Sequence, residues 1–268
     1  MCCFSVASPT GWFSRIRAAL TPQVRVSATN IFARRVTQDT QALAYGMDLD
    51  ARQAIAMVLP LPVAPGSGED AVTFVDLTRH PRMFQDWQRM FEAPMPLMRK
   101  GGPSLPYGAA AKTLVVHTVG SFVASYVPTR ADFTRLDPRF RMPNVLFDAV
   151  PAYSDYGFAV FQLETGKTTV HPMAMTFLTR EPDRLFFPTV HIHDGHFKKT
   201  AKFDHALYYQ TLRCTGLGET TPHGEFEGDA VGWLAPDDSH EGLVVPQQAM
   251  LRRTLRQRLP NQDTWIAA

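Results

Sequence analysis

The chain has 268 residues, of which 45% are apolar, 11% aromatic and 19% charged, a globular composition that excludes a disordered or fibrous protein. Its 27 Lys and Arg against 25 Asp and Glu leave a net charge of +2. That balance gives no electrostatic footprint for nucleic acid or an anionic membrane.

The length admits one large domain or two small ones, either able to bury a core. The pattern reads as a single α+β domain over 1–268, with a possible internal division at the Gly- and Pro-rich stretch 94–111. No apolar run reaches the ~18–20 residues of a membrane span. The start, Met1-Cys2-Cys3-Phe4-Ser5-Val6, lacks the basic region of an export signal. Three cysteines cannot make a disulfide framework. The expected compartment is a reducing cytoplasm with free thiols.

Strand patterns dominate, predominantly antiparallel in expectation. Ser27 to Val36 alternates weakly and Gln41 to Leu49 follows it. Ala54 to Val63 is continuously apolar up to its prolines. Pro81 to Phe91 predicts a helix, with Pro at the first position and apolar residues at 83, 84, 87, 90 and 91. Thr113 to Val127 is rich in β-branched and aromatic residues, with Gly120 as a bulge or bend. Ala131 to Leu136 predicts a single helical turn. Gly157 to Leu163, Thr168 to Leu178 and Leu185 to His193 predict further strands. Thr215 to Glu241 is loop-rich. Gln247 to Leu259 predicts a C-terminal helix, with Met250, Leu251, Leu255 and Leu259 on one face and Arg252, Arg253, Arg256 and Arg258 on the other. Residues 42–60 and 159–178 are loosely alike, each a strand, a polar turn and an apolar strand, as in a duplicated hairpin.

The chemically richest segment is Thr189 to His205, TVHIHDGHFKKTAKFDH. Asp194-Gly195 is a two-residue hairpin signal, since a type I′ turn needs positive φ at both central positions. Such a turn would oppose His193 to His196 and, by strand alternation, set His191 on the same face. Three neutral imidazoles with an open position suit zinc, copper or iron. His205 or a thiol would complete the set, and Asp204 could orient an imidazole. His171, beside Met173 and Met175, is a further candidate neighbour.

At the N-terminus, removal of Met1 would leave Cys2 with a free α-amine beside its own thiol. That is the arrangement of N-terminal nucleophile hydrolases and transferases. Cys2 and Cys3 could equally be soft metal ligands, or small apolar residues of a strand. Asp48 with Asp50, and Glu69 with Asp70, read as solvated turn carboxylates. Gly66-Ser67-Gly68 lacks the Lys-Ser/Thr of a phosphate loop. Tyr153, Asp155, Tyr156 and Phe158 form an aromatic and acidic cluster at a strand entry.

The phrases MCCFS at 1–5, MVLPLPV at 57–63, GSF at 120–122, YGFAVFQL at 156–163, HPMAM at 171–175 and FFPTVHIHDG at 186–195 together resemble a family of bacterial proteins of unestablished activity. The resemblance implies one continuous architecture and transfers no catalytic residue. Three functional expectations follow from the residues. The first is a metal-binding protein, catalytic or not, with His191, His193, His196 and His205 as ligands to Zn, Cu or Fe and an open position for water or dioxygen. The second is a metal-free enzyme using Cys2 as nucleophile. The third is a non-enzymatic binding or scaffold module that presents its hairpin and basic C-terminal helix to a protein partner.

Overall fold

Two chain segments far apart in sequence pair antiparallel in one sheet and pair antiparallel again in another. The computed structural model describes residues 2–6, 24–51, 55–92, 117–119, 122–137, 141, 147–163, 166–192, 196–211, 229–234, 239–246 and 248–268. Within it, β3 (Thr40–Ala51) pairs with β9 (Gly166–Leu178), from Thr40 opposite Leu178 to Ala51 opposite Gly166. The same two segments continue as β4 (Ile55–Leu61) against β8 (Gly157–Leu163), from Ile55 opposite Leu163 to Leu61 opposite Gly157. The first ladder belongs to a seven-stranded sheet and the second to a six-stranded one. The two loosely similar regions 42–60 and 159–178 are therefore not two hairpins. They are the two arms of one bent ribbon.

The remaining strands extend each sheet. The six-stranded sheet runs β11-β1-β4-β8-β7-β6, adding β1 (Cys2–Val6), β6 (His117–Val119), β7 (Phe122–Val127) and β11 (His191–Ile192). The seven-stranded sheet runs β13-β14-β12-β2-β3-β9-β5, adding β2 (Val24–Thr37), β5 (Val72–Val75), β12 (Thr200–Gln210), β13 (Ala230–Trp233) and β14 (Ala249–Pro260). A short pair joins β10 (Arg184–Phe187) to β15 (Thr264–Ala267). Pairing is antiparallel except between β1 and β11 and between β2 and β12.

The core lies between the sheets. Leu43, Tyr45, Met47 and Leu49 of β3 meet Ile55, Met57, Leu59 and Leu61 of β4, with Phe161, Met173, Met175, Leu207, Tyr209 and Leu251 among them. Each sheet is also covered on its outer face. Ala56, Val58, Phe158 and Val160 sit under Phe133, Phe147 and Tyr153, carried by short 3-10 turns at Arg130–Arg135 and Pro151–Tyr153 and the chain between. Phe32, Ala42, Ala44 and Tyr208 sit under Met83, Phe84 and Trp87 of helix α1 (Met83–Glu92). Because β4 is buried on both faces, its sequence is a continuous apolar run, the pattern of a covered central strand.

The mostly β, few-helix class and the helix at 81–91 match the sequence expectation, as does the turn near 131–136. The C-terminal helix is corrected: 247–259 yields β14, a strand, and the last element is β15. Residues four apart share a face in a helix and in a strand alike. Leu251, Leu255 and Leu259 therefore satisfy both patterns. Met250 decides it, packing under α1 while Leu251 enters the inter-sheet core on the opposite face. Thr113 to Val127 also divides, into the hairpin of β6 and β7 with Val119 opposite Phe122. The stretch 94–111 lies outside the described residues. No helix among the described residues is long and apolar enough to cross a membrane.

Within the seven-stranded sheet the ribbon carries one irregularity among the described residues; across the bend, from Ala51 opposite Gly166 to Ile55 opposite Leu163, the register shifts by one more residue. Between Tyr45 and Met47 the register with β9 shifts, placing Gly46 against His171 and Pro172. Pro172 has no N–H for a ladder, so a bulge is where a strand tolerates it. A Cβ at Gly46 would stand 2.5 Å from Cδ2 of Phe84, so α1 seats directly on glycine backbone. Gly46→Ala is expected to lower stability by about 1–3 kcal/mol through overpacking, read from urea unfolding.

Burial pushes the Tyr126 hydroxyl up to about 12, with the Asp132 charge adding to it, and burial does the same at Tyr156, also about 12. A folded-state pKa above the unfolded one contributes stability that is complete below pH ~10 and is lost as pH rises toward ~12. The Tyr126 hydroxyl has no hydrogen-bond partner among the described residues. Tyr126→Phe is thus expected to raise stability at pH 7 by about 1 kcal/mol and to weaken the alkaline loss. Thermal melts from pH 7 to 11.5 check both.

Candidate functional site

His205 sits on β12 with Phe203, Leu207 and Tyr209 on the face turned to the core, and is 2% exposed. Its register partners are Thr29 of β2 and Leu255 of β14. His191 belongs to the other sheet, at the start of the two-residue strand β11. So short a strand needs other restraints, and the turn after β14 supplies them. The Asn261 side chain accepts the His191 backbone N–H at 2.7 Å and donates Nδ2 to the carbonyls of His191 and Lys198, each at 2.9 Å. Asp263 accepts the N–H groups of Thr189 and Val190 at 2.9 and 3.1 Å on one oxygen. Its other oxygen takes the Tyr153 hydroxyl at 2.5 Å. Thr189 Oγ donates to the Gln262 carbonyl at 2.8 Å.

This clamp brings two imidazoles together across the sandwich. Nε2 of His191 and Nε2 of His205 are 3.1 Å apart, with ring centroids 4.7 Å apart and planes at 68°. The Phe203 ring lies against both, at 4.7 Å from His191 and 5.2 Å from His205. Two neutral imidazoles at this distance share one proton as a hydrogen bond, or turn both lone pairs to a common electrophile.

The hairpin expectation changes accordingly. β11 and β12 pair with different neighbours in different sheets, so His191 and His205 converge between sheets rather than along one ribbon. His193, with Asp194 and Gly195, lies outside the described residues. His196 is described and exposed. His171 stacks on Phe122 at 4.4 Å, and its strand β9 stands three positions from β12 in the sheet, so it does not join the pair. The N-terminal strand does come close: the backbone of Cys2 is in parallel register with His191, and Cys3 with Ile192. Among the described residues, no group of three or more His, Cys, Asp or Glu is arranged to hold a metal ion.

The other sequence candidates have structural explanations. Asp48 and Asp50 are exposed on β3. Glu69 pairs with Arg135 at 2.8 Å. Tyr153 bonds Asp263, Asp155 pairs with Arg180 at 2.8 Å, and the Arg180 guanidinium lies over the Tyr156 ring. Sequence reading missed Asn261 and Asp263. The only signal was a Pro-Asn-Gln-Asp turn, whose Asn and Asp are residue types that bond nearby backbone.

A second histidine cluster also escaped notice. His80 and His240 are 4.8 Å apart by ring centroid, with Trp87 edge-on to His240 at 5.3 Å and Glu241 at 3.5 Å from His80. His240, Glu241 and Gly242 all have positive φ, at 48°, 56° and 79°. Arg34 holds this turn down by donating to the carbonyls of Gly242 and Leu243.

No protein-family model and no curated protein matches the sequence. Among solved structures, the chain is similar to baculovirus P35, with 13% identity, 92% of this chain and 97% of that one covered, and a TM-score of 0.48. A mutated baculovirus P35 after caspase cleavage gives 13% identity, 90% and 99% coverage, and 0.47. The caspase-8/P35 complex gives 11%, 90% and 96%, and 0.44.

Asn261→Ala removes the groups that seat β11. It is expected to cost about 2 kcal/mol in chemical unfolding and to shift the His191 ring resonances in NMR while the Tyr209 ring signals stay in place.

Proposed function

We propose that this chain is a metal-binding protein whose ion is held by Nε2 of His191 and Nε2 of His205. The observation that carries the reading is their separation of 3.1 Å. Two imidazole nitrogens at ~2.0–2.1 Å from a tetrahedral ion stand roughly 3.3 Å apart, so a few tenths of an ångström of side-chain adjustment would admit the ion. Imidazole suits zinc, copper and iron. Cys2, whose backbone is in register beside His191, is the third ligand in this reading. His193 and His196 are the alternatives. Phe203 forms an apolar wall that would limit water to the remaining open position, where an ion could activate water or dioxygen. A reducing cytoplasm, which keeps Cys2 a thiol, fits this chemistry.

The same register supports a second reading, in which Cys2 is a thiol nucleophile and His191 its base, with no metal. Elemental analysis separates the two. Untagged protein purified without chelators, then incubated with zinc, copper or iron, should hold about one ion per chain. His191→Ala/His205→Ala should hold none, and Cys2→Ser should bind more weakly. Affinity should fall as pH drops through the imidazole range near ~6.5, because each ligand must first lose its proton. Absence of metal in the wild-type protein, or equal metal in the double variant, would overturn the reading. Thiol alkylation that depends on His191 but not on added metal would favour the nucleophile.

A further inference from the structure

β13 covers β14 from Ala249 to Arg252, and Asp229 holds Arg253 at 2.9 Å. From Thr254 to Pro260 the inner edge of β14 pairs with β12; among the described residues no strand pairs with its outer edge, which carries exposed positive charge. Such an edge presents backbone N–H and C=O groups to any extended chain of suitable chemistry.

The side chains define that chemistry. Lys199, Lys202, Arg256 and Arg258 are all exposed, and Asp204, directly opposite Arg256 in register, is the one carboxylate on the same stretch of the β12–β14 pair. None of these four cations has an ion pair among the described residues. Lys202 stands directly opposite Arg258 in register, an arrangement of like charges that destabilises an antiparallel pair. Arg258 donates diagonally to Thr200 Oγ at 3.3 Å instead of meeting an acid. This local excess exceeds the net charge of the whole chain, +2. An anion laid along the strand would relieve the repulsion and would be steered to it.

We propose that the outer edge of β14 from Thr254 to Pro260 takes up an extended acidic segment of a partner protein as an added strand, with Lys202, Arg256 and Arg258 reading its carboxylates. An extended peptide is favoured over a membrane or a nucleic acid because it can use the strand edge as well as the charge. The site is separate from the histidine pair, and the proposal stands whether or not metal binds there.

The test uses the full chain and a fluorescein-labelled peptide of alternating glutamate and valine, followed by fluorescence anisotropy. The wild-type protein is expected to bind it, and added salt to weaken the binding. Arg256→Glu/Arg258→Glu should lose at least about tenfold in affinity. Lys202→Ala/Arg258→Ala, which relieves the like-charge pair and is expected to fold at least as well as wild type, should also bind more weakly. The same peptide N-methylated at alternate amides should fail to bind, and bound peptide should slow hydrogen exchange at amides within 254–260. The proposal is overturned by no binding, by equal binding to both variants, or by equal binding of the N-methylated peptide. It is also overturned if phosphatidylserine vesicles or single-stranded DNA bind more tightly than the peptide. In those outcomes the charges serve only to keep the edge soluble or to meet a generic anion.

Discussion

The fold depends on one antiparallel pairing, β3–β4 against β8–β9, in which the same two segments are partners in the seven-stranded sheet and again in the six-stranded one. A single strand crossing between sheets would leave its neighbour behind and expose two edges at the corner. Here both arms turn together, so partners are retained on either side of the bend. Both faces of β4 are then buried, against the opposite sheet and against the 3-10 cover. The other strands of the two large sheets are added to its two halves, while β10 and β15 form a pair of their own. The bulge at Gly46 is a place where the ribbon departs from regular pairing, and α1 packs there.

The histidine pair is a product of the sandwich rather than of a local motif. β12 supplies His205 from one sheet and β11 supplies His191 from the other. A turn belonging to neither strand, Asn261 to Asp263, holds the second in place through side-chain bonds to backbone. A two-residue strand would otherwise have little to hold it against fraying. The site therefore sits where three separate pieces of chain agree in position, which is how a fold fixes side chains more finely than a loop can.

Much of the fold was legible in the sequence. The amphipathic spacing of Met83, Phe84 and Trp87 gave α1, and the apolar run at 54–63 gave the strand β4. The C-terminal strand was not legible, because leucines four apart fit a helix and a strand equally and only the placement of Met250 separates them. Of the candidate site, His191 and His205 were named from the enrichment of histidine in one segment. Their manner of meeting was not, because the Asp194-Gly195 signal points to a local ribbon and the actual contact forms between sheets. Nothing in the spacing could have joined Cys2 to His191, since a parallel pairing between residues so far apart in sequence leaves no local trace. Asn261 and Asp263 were missed because their role is to bond backbone seventy residues away, which looks like an ordinary turn.

The two parallel pairings, β1 with β11 and β2 with β12, bear on how the chain is made. β1 can pair with β4 and β2 with β3 early, but their parallel partners exist only after residues 191–210 have been synthesised. Until then β1 lacks its β11 neighbour, and β2 can form its hairpin with β3 but not its other edge. The central ribbon likewise waits for residues 157–178. Each of these two strands therefore keeps one edge without its final partner through much of translation. Pairings so distant in sequence slow folding, and strand edges open in the meantime favour aggregation.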